Sequence, residues 1–114
     1  MPHIIVEYSK NLEAGHAIQP MIEKMHAALA QEGVDQSRIK TRAIALDHYV
    51  VGDKGNAGAM CHITLLLLEG RDDATKNKYG APLHEIAVQT LSSKALSVAV
   101  TLEVRDMQAA SYLV

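Results

Sequence analysis

At 114 residues, 48% of them apolar, the chain fits one domain, residues 1–114, with enough length for a real core and none for a second domain. Phe and Trp are absent and the formal net charge is -2, so the core must come from Ile, Leu, Val, Met and Ala, and nothing pulls the chain as a whole toward nucleic acid or an anionic membrane. The single cysteine, Cys61, excludes an internal disulfide and every CxxC motif, and a reducing cytoplasm is the expected setting.

The first element is a strand over residues 2 to 8, "PHIIVEY", short and rich in β-branched residues. Glu7 interrupts it too early for a signal peptide. From Ile18 the apolar positions Ile18, Met21, Ile22, Met25 and Leu29 recur at helical spacing, with Pro20 suited to the first turn and Gly33 to the stop. Ile39 to Val51 reads as a second strand, on which Arg38, Lys40 and Arg42 would share one face because they lie two residues apart. Turn chemistry fills residues 52–58, "GDKGNAG". A third strand, Ala59 to Leu68, follows; its strongly apolar run from Ile63 is far below the roughly 20 residues that span a bilayer.

A second helix is expected over 72–93, capped by Asp72 or Asp73, with Leu83, Ile86, Thr90 and Leu91 inward. Gly80 and Pro82 require that it kink there or begin at Pro82, because an interior proline removes a hydrogen bond and clashes one turn back. Val98, Val100, Leu102 and Val104 alternate as a fourth strand. His3-Ile4 in the first half and His62-Ile63 in the second are a faint echo of the repeated order. The fold class is therefore α+β: two βαβ units forming a four-stranded mixed sheet with both helices on one face. Because "ITLLLL" is apolar on both sides, the uncovered face calls for another subunit, unless loops and the tail cover it.

Pro2 is the first chemical candidate. Removal of the initiator Met would leave a secondary amine at the chain end. A free α-amino group titrates near pH 7.7 to 8.0, and nearby cations or burial lower that value toward what a general base needs. The plain alternative is a proline tolerated at a strand start. Arg38, Lys40 and Arg42, with Arg71 just past the third strand, could clamp an anionic substrate, or could be solvated charges guarding an edge strand. The six histidines show no close ligand pairing, and "HEIAV" lacks the second histidine of a zinc motif, so no metal is expected. Cys61 reads as packing, and no phosphate-binding glycine loop is present.

The opening "PHIIVEYS", together with "IKTRAIALDHYVVGDKGNAGAMCHITLLLLEGR", resembles the 5-carboxymethyl-2-hydroxymuconate isomerase family of the tautomerase superfamily. The resemblance implies trimers packed around a central barrel, no cofactor, and an amino-terminal proline that takes the 2-hydroxyl proton of a dienol and returns it to carbon 5. Residue by residue it makes Pro2 the base, matches Arg71 in "EGR" to a family arginine, and puts Lys40 where relatives carry a substrate-binding arginine. Lysine keeps the charge but not the two-pronged grip, which Arg42 could partly restore. The tail after Met107 is short, so contacts made by longer C-termini are expected to be missing.

The reading is a cytoplasmic, homotrimeric tautomerase acting on a small enol or oxo dicarboxylate, without nucleic-acid or membrane partners. Pro2 is its base, and Lys40, Arg42 and Arg71 hold carboxylates. Two alternatives stay open: hydration or dehalogenation of an unsaturated acid, and a non-catalytic trimer that binds anions.

Overall fold

The structure, a computed structural model, describes residues 1–93 and 96–114. Its strands are β1 (His3–Ser9), β2 (Lys40–Leu46), β3 (Ala59–Leu68) and β4 (Val98–Met107), and its helices are α1 (Ile18–Gln31) and α2 (Asp73–Leu91). The sheet order is β2-β1-β3-β4. β1 runs parallel to β2, β3 runs parallel to β4, and the two pairs join antiparallel through β1 and β3. Two βαβ units thus form one mixed sheet.

Side chains at alternate positions of a strand point to opposite faces. On the helix side lie Ile4, Val6 and Tyr8 of β1 and Cys61, Ile63, Leu65 and Leu67 of β3, all buried. There α1 packs on β2, α2 packs on β4 and β3, and the helices touch each other. The opposite face carries His3, Ile5, Glu7, Met60, His62, Thr64, Leu66 and Leu68, partly exposed, with Ile44 of β2 at 47% exposure. Among the described residues, no helix is long and apolar enough to cross a membrane.

α1 buries Met21, Ile22, Met25 and Leu29. It ends at Gly33, whose φ of 101° lies in the left-handed region that a side chain would resist. The second strand is shorter than expected, because Leu46 is paired with Ser9, the last residue of β1, and no partner remains beyond it. Arg38 is also not in this strand: it lies in a 3-10 turn, Gln36–Arg38, with its Nε 3.6 Å from Asp35. Only Lys40 and Arg42 therefore share the open face.

α2 neither starts at Pro82 nor stops at Gly80. The Asp72 carboxylate accepts the Thr75 amide at 2.9 Å and caps the first turn, and the helix runs through both residues. Its buried stripe is Gly80, Leu83, Ala87 and Leu91, with Ile86 and Thr90 only partly covered. A Cβ on Gly80 would stand 2.9 Å from Leu102 Cδ2 and 3.1 Å from Val104 Cγ2, so glycine is what lets α2 lie so near β4. The expected span over 92–93 is not helical, and the segment between α2 and β4 includes residues outside those described. The histidine echo is not a structural equivalence, since His3 opens β1 whereas Ala59 opens β3.

Candidate active site

The register gathers four chain segments at one end of the sheet. His3 pairs with Lys40 on one side and Leu66 on the other, and Leu66 pairs with Arg105, so β1 and β2 begin where β3 and β4 are ending. Pro2 is buried there. Its carbonyl accepts the Lys40 amide at 3.1 Å and extends the β1–β2 ladder by one bond. Ahead of it, the Met1 ammonium donates to the Arg38 carbonyl at 2.7 Å. Met1, Ser37, Arg38, Lys40, Tyr112 and Val114 line a cleft of about 220 Å³, room for a small organic acid.

The electrostatics of this end act on the terminal amine. Burial first, then the charges of Lys40 and Arg38, hold its pKa below the ordinary value of 8.0, with Asp35 opposing. Each of the first three disfavours the protonated form. An amine here is biased toward its basic, unprotonated state.

The sequence-derived residues are brought together unevenly. Lys40 lies against Pro2 and the cleft. Arg42 is one step along the same face, where its Nη1 donates to His3 Nδ1 at 3.2 Å. Arg71 stands just beyond the end of β3, which is the same end of the sheet. Its Nη1 donates to the Leu68 carbonyl at 3.4 Å and its guanidinium lies 5.6 Å from the centre of the Tyr79 ring, so it leans toward α2.

The short tail makes contacts here that the sequence did not suggest. The Glu69 carboxylate accepts the Ala109 amide at 2.6 Å, and a 3-10 turn over Ala109–Ser111 then turns the chain back. Tyr112 comes to lie edge-on to His3, ring centres 6.0 Å apart. Its hydroxyl is 2.9 Å from His3 Nε2 and donates to the Met1 carbonyl at 3.3 Å. His3 and Tyr112 were both missed as site residues; the only signal for them was an aromatic residue and an apolar end, "YLV", after the last strand.

His3 has a lowered pKa, from burial first and then from Arg42, Lys40 and the amino terminus. Elsewhere His26 and His62 bond to Thr41 and Thr101, and His84 to the Val100 carbonyl. Among the described residues, no three His, Cys, Asp or Glu side chains are grouped to hold a metal. Cys61 is buried, with its thiol pushed up to about 11.

The sequence profile of the 5-carboxymethyl-2-hydroxymuconate isomerase family matches residues 2–113. A comparison with curated proteins finds no match. Among solved structures, a 5-carboxymethyl-2-hydroxymuconate delta-isomerase superposes with a TM-score of 0.85 at 21% identity, over 100% of this chain and 87% of the other. A 5-carboxymethyl-2-hydroxymuconate isomerase from Deinococcus radiodurans R1 gives 0.89 at 21% identity, over 98% and 87%. A fused 4-OT wild-type symmetric trimer gives 0.74 at 18% identity, over 93% and 87%. At such identities the likeness to these structures establishes the fold.

Proposed function

The chain belongs to the 5-carboxymethyl-2-hydroxymuconate isomerase family of tautomerase-type isomerases, and from that premise we propose that it moves a proton within a small enol or oxo dicarboxylate, using the Pro2 nitrogen as base once Met1 has been removed. The observation that carries this reading is the position of Pro2, buried at the head of β1 and bonded to the Lys40 amide beside a cleft lined by Arg38 and Lys40, where burial and these two cations hold the Met1 amine ahead of it below its ordinary pKa. Pro2 is more deeply covered than Met1. Burial and nearby cations would disfavour protonation of its freed nitrogen in the same direction.

In this reading the Pro2 nitrogen takes the proton of the 2-hydroxyl, breaking O–H and forming N–H. The oxygen lone pair closes a carbonyl, the diene electrons shift toward carbon 5, and that carbon takes the proton back from Pro2. No external oxidant or co-reactant enters. Lys40 holds the carboxylate nearest the base, and Arg42 and Arg71 hold or balance the other charges of the acid.

A homotrimer is part of the proposal. The partly exposed apolar side chains of the open face, Ile5, Ile44, Leu66 and Leu68, support burial against sister subunits, and a fused 4-OT trimer has the same fold. The unpaired Cys61 supports a cytoplasmic setting.

The test starts from the intact mass of untagged protein, which should lack one methionine. Pro2→Ala should then lower turnover of 2-hydroxymuconate by about 100-fold or more. Unchanged turnover would remove Pro2 from the mechanism. A retained methionine leaves the proline nitrogen an amide, and anion binding without turnover then becomes the function.

A further inference from the structure

The tail residue Tyr112 reaches the amide that this nitrogen forms with Met1. The Met1 carbonyl carbon is bonded to the Pro2 nitrogen, and the planar amide fixes its oxygen beside that nitrogen. The Tyr112 hydroxyl donates to this oxygen at 3.3 Å. In the processed chain the acyl group is gone, so its oxygen stands in for a substrate oxygen that exchanges a proton with Pro2.

The direction of each hydrogen bond is set by chemistry. A guanidinium only donates, so Arg42, 3.2 Å from His3 Nδ1, makes that nitrogen the acceptor. The neutral ring then carries its proton on Nε2, which donates to the Tyr112 oxygen at 2.9 Å. With its oxygen accepting from His3, the Tyr112 proton is free to point at the Met1 oxygen. Burial of His3, with Arg42, Lys40 and the amino terminus nearby, lowers its pKa and keeps the ring neutral. Three side chains therefore form one relay, ending in a donor beside Pro2.

We propose that Tyr112 is a catalytic hydrogen-bond donor to the enol oxygen of the substrate, and that His3 and Arg42 are the positioning residues that hold it on target. This rests on the reading of Pro2 as base. When Pro2 removes the hydroxyl proton, negative charge appears on that oxygen and persists until the distant carbon is protonated. A donor already in place stabilises the charge without reorganising. Tyr112 donates this hydrogen bond and keeps its own proton throughout.

The experiment uses the full chain with Met1 removed, confirmed by intact mass, and 2-hydroxymuconate as the probe. Tyr112→Phe deletes one oxygen from a partly exposed residue and should leave the melting temperature within about 2 °C. It should lower kcat by about 10- to 100-fold with KM nearly unchanged, somewhat less than the loss of a donor in a closed oxyanion hole. His3→Phe should lower kcat in the same direction. The double variant should be no worse than Tyr112→Phe alone, because both changes cut one relay; a merely structural role for His3 would give additive losses. If Tyr112→Phe keeps full kcat while Pro2→Ala loses it, the donor role is overturned and the base survives. If Pro2→Ala also keeps full turnover, or the processed wild-type chain shows none, the base reading fails and the donor role fails with it.

Discussion

The two βαβ units share a topology but not a way of packing or a chemistry. α1 meets the sheet with Met21, Ile22, Met25 and Leu29, whereas α2 uses Gly80, Leu83, Ala87 and Leu91. Gly80 lets α2 settle close to β4, where an added Cβ would stand 2.9 Å from Leu102, and no glycine lies in the buried stripe of α1. The strand starts differ as sharply. In the first unit His3 pairs with Lys40, beside Pro2 and the cleft. The equivalent pair in the second unit is Ala59 with Val98, which offers neither charge nor amine. The architecture is doubled while the candidate site is single, built on the strand start of the first unit and completed from the second by Arg71 and by Tyr112, which lines the cleft.

The sharpest way to break this contrast is to exchange the packing styles. Met25→Ala, at a site with 0% exposure, should open a cavity and cost about 2 to 5 kcal/mol of stability in denaturant titrations. Ala87→Leu should overpack α2 and cost about 1 to 3 kcal/mol. Equal tolerance of both changes would mean that the helices are held alike. On the chemical side, Lys40→Ala should raise KM for 2-hydroxymuconate by about 10-fold or more, since a charge-assisted bond contributes about 1.5 to 3 kcal/mol. Lys40→Arg should lower KM a few-fold by restoring a two-pronged grip. No change in KM with either variant would detach Lys40 from the substrate.

The smallest expected effect is a pH slope that belongs to the first unit alone. The folded-state pKa of His3 lies below the ordinary 6.5, so over that interval the unfolded chain binds more protons than the folded one. Its contribution to stability is complete above about pH 6.5 and is lost as the pH falls through that value toward the lowered folded pKa. His3→Gln should flatten this part of a melting-temperature profile between about pH 7.5 and 5.5. A slope identical to wild type would mean that the ring titrates normally in the fold.

What could be read from the sequence follows from how local each signal is. Ala59–Leu68 was placed to the residue because β3 is central and its two-sided apolar run starts directly after clear turn chemistry. The overrun of the second strand has the opposite cause: Asp47 to Val51 look extended, but a strand ends where its neighbour ends, and the end of β1 at Ser9 is not written in β2. Gly80 and Pro82 looked like breaks because propensity is weighed within one helix, while the close approach of β4 favours glycine from outside it. At the candidate site, the strand start behind Pro2 was legible from the opening motif, and the shared face of Lys40 and Arg42 from their two-residue spacing. Arg38 was put on the strand face because strand periodicity was extended into a 3-10 turn, from which it lines the cleft all the same. Tyr112 was invisible, since its partner His3 lies 109 positions away and the Glu69–Ala109 bond and the 3-10 turn after it bring the tail back toward it.

That fold-back has a practical side. Both ends of the chain converge on one cleft, which Met1 and Val114 line together. A tag ahead of Pro2 would block its nitrogen, and a tag after Val114 would begin three residues past Tyr112, close to the turn that sets it. Handles for purification or immobilisation belong instead beyond β2, near Val50, which is 79% exposed. An assay on end-tagged protein would report on the tag as much as on the enzyme.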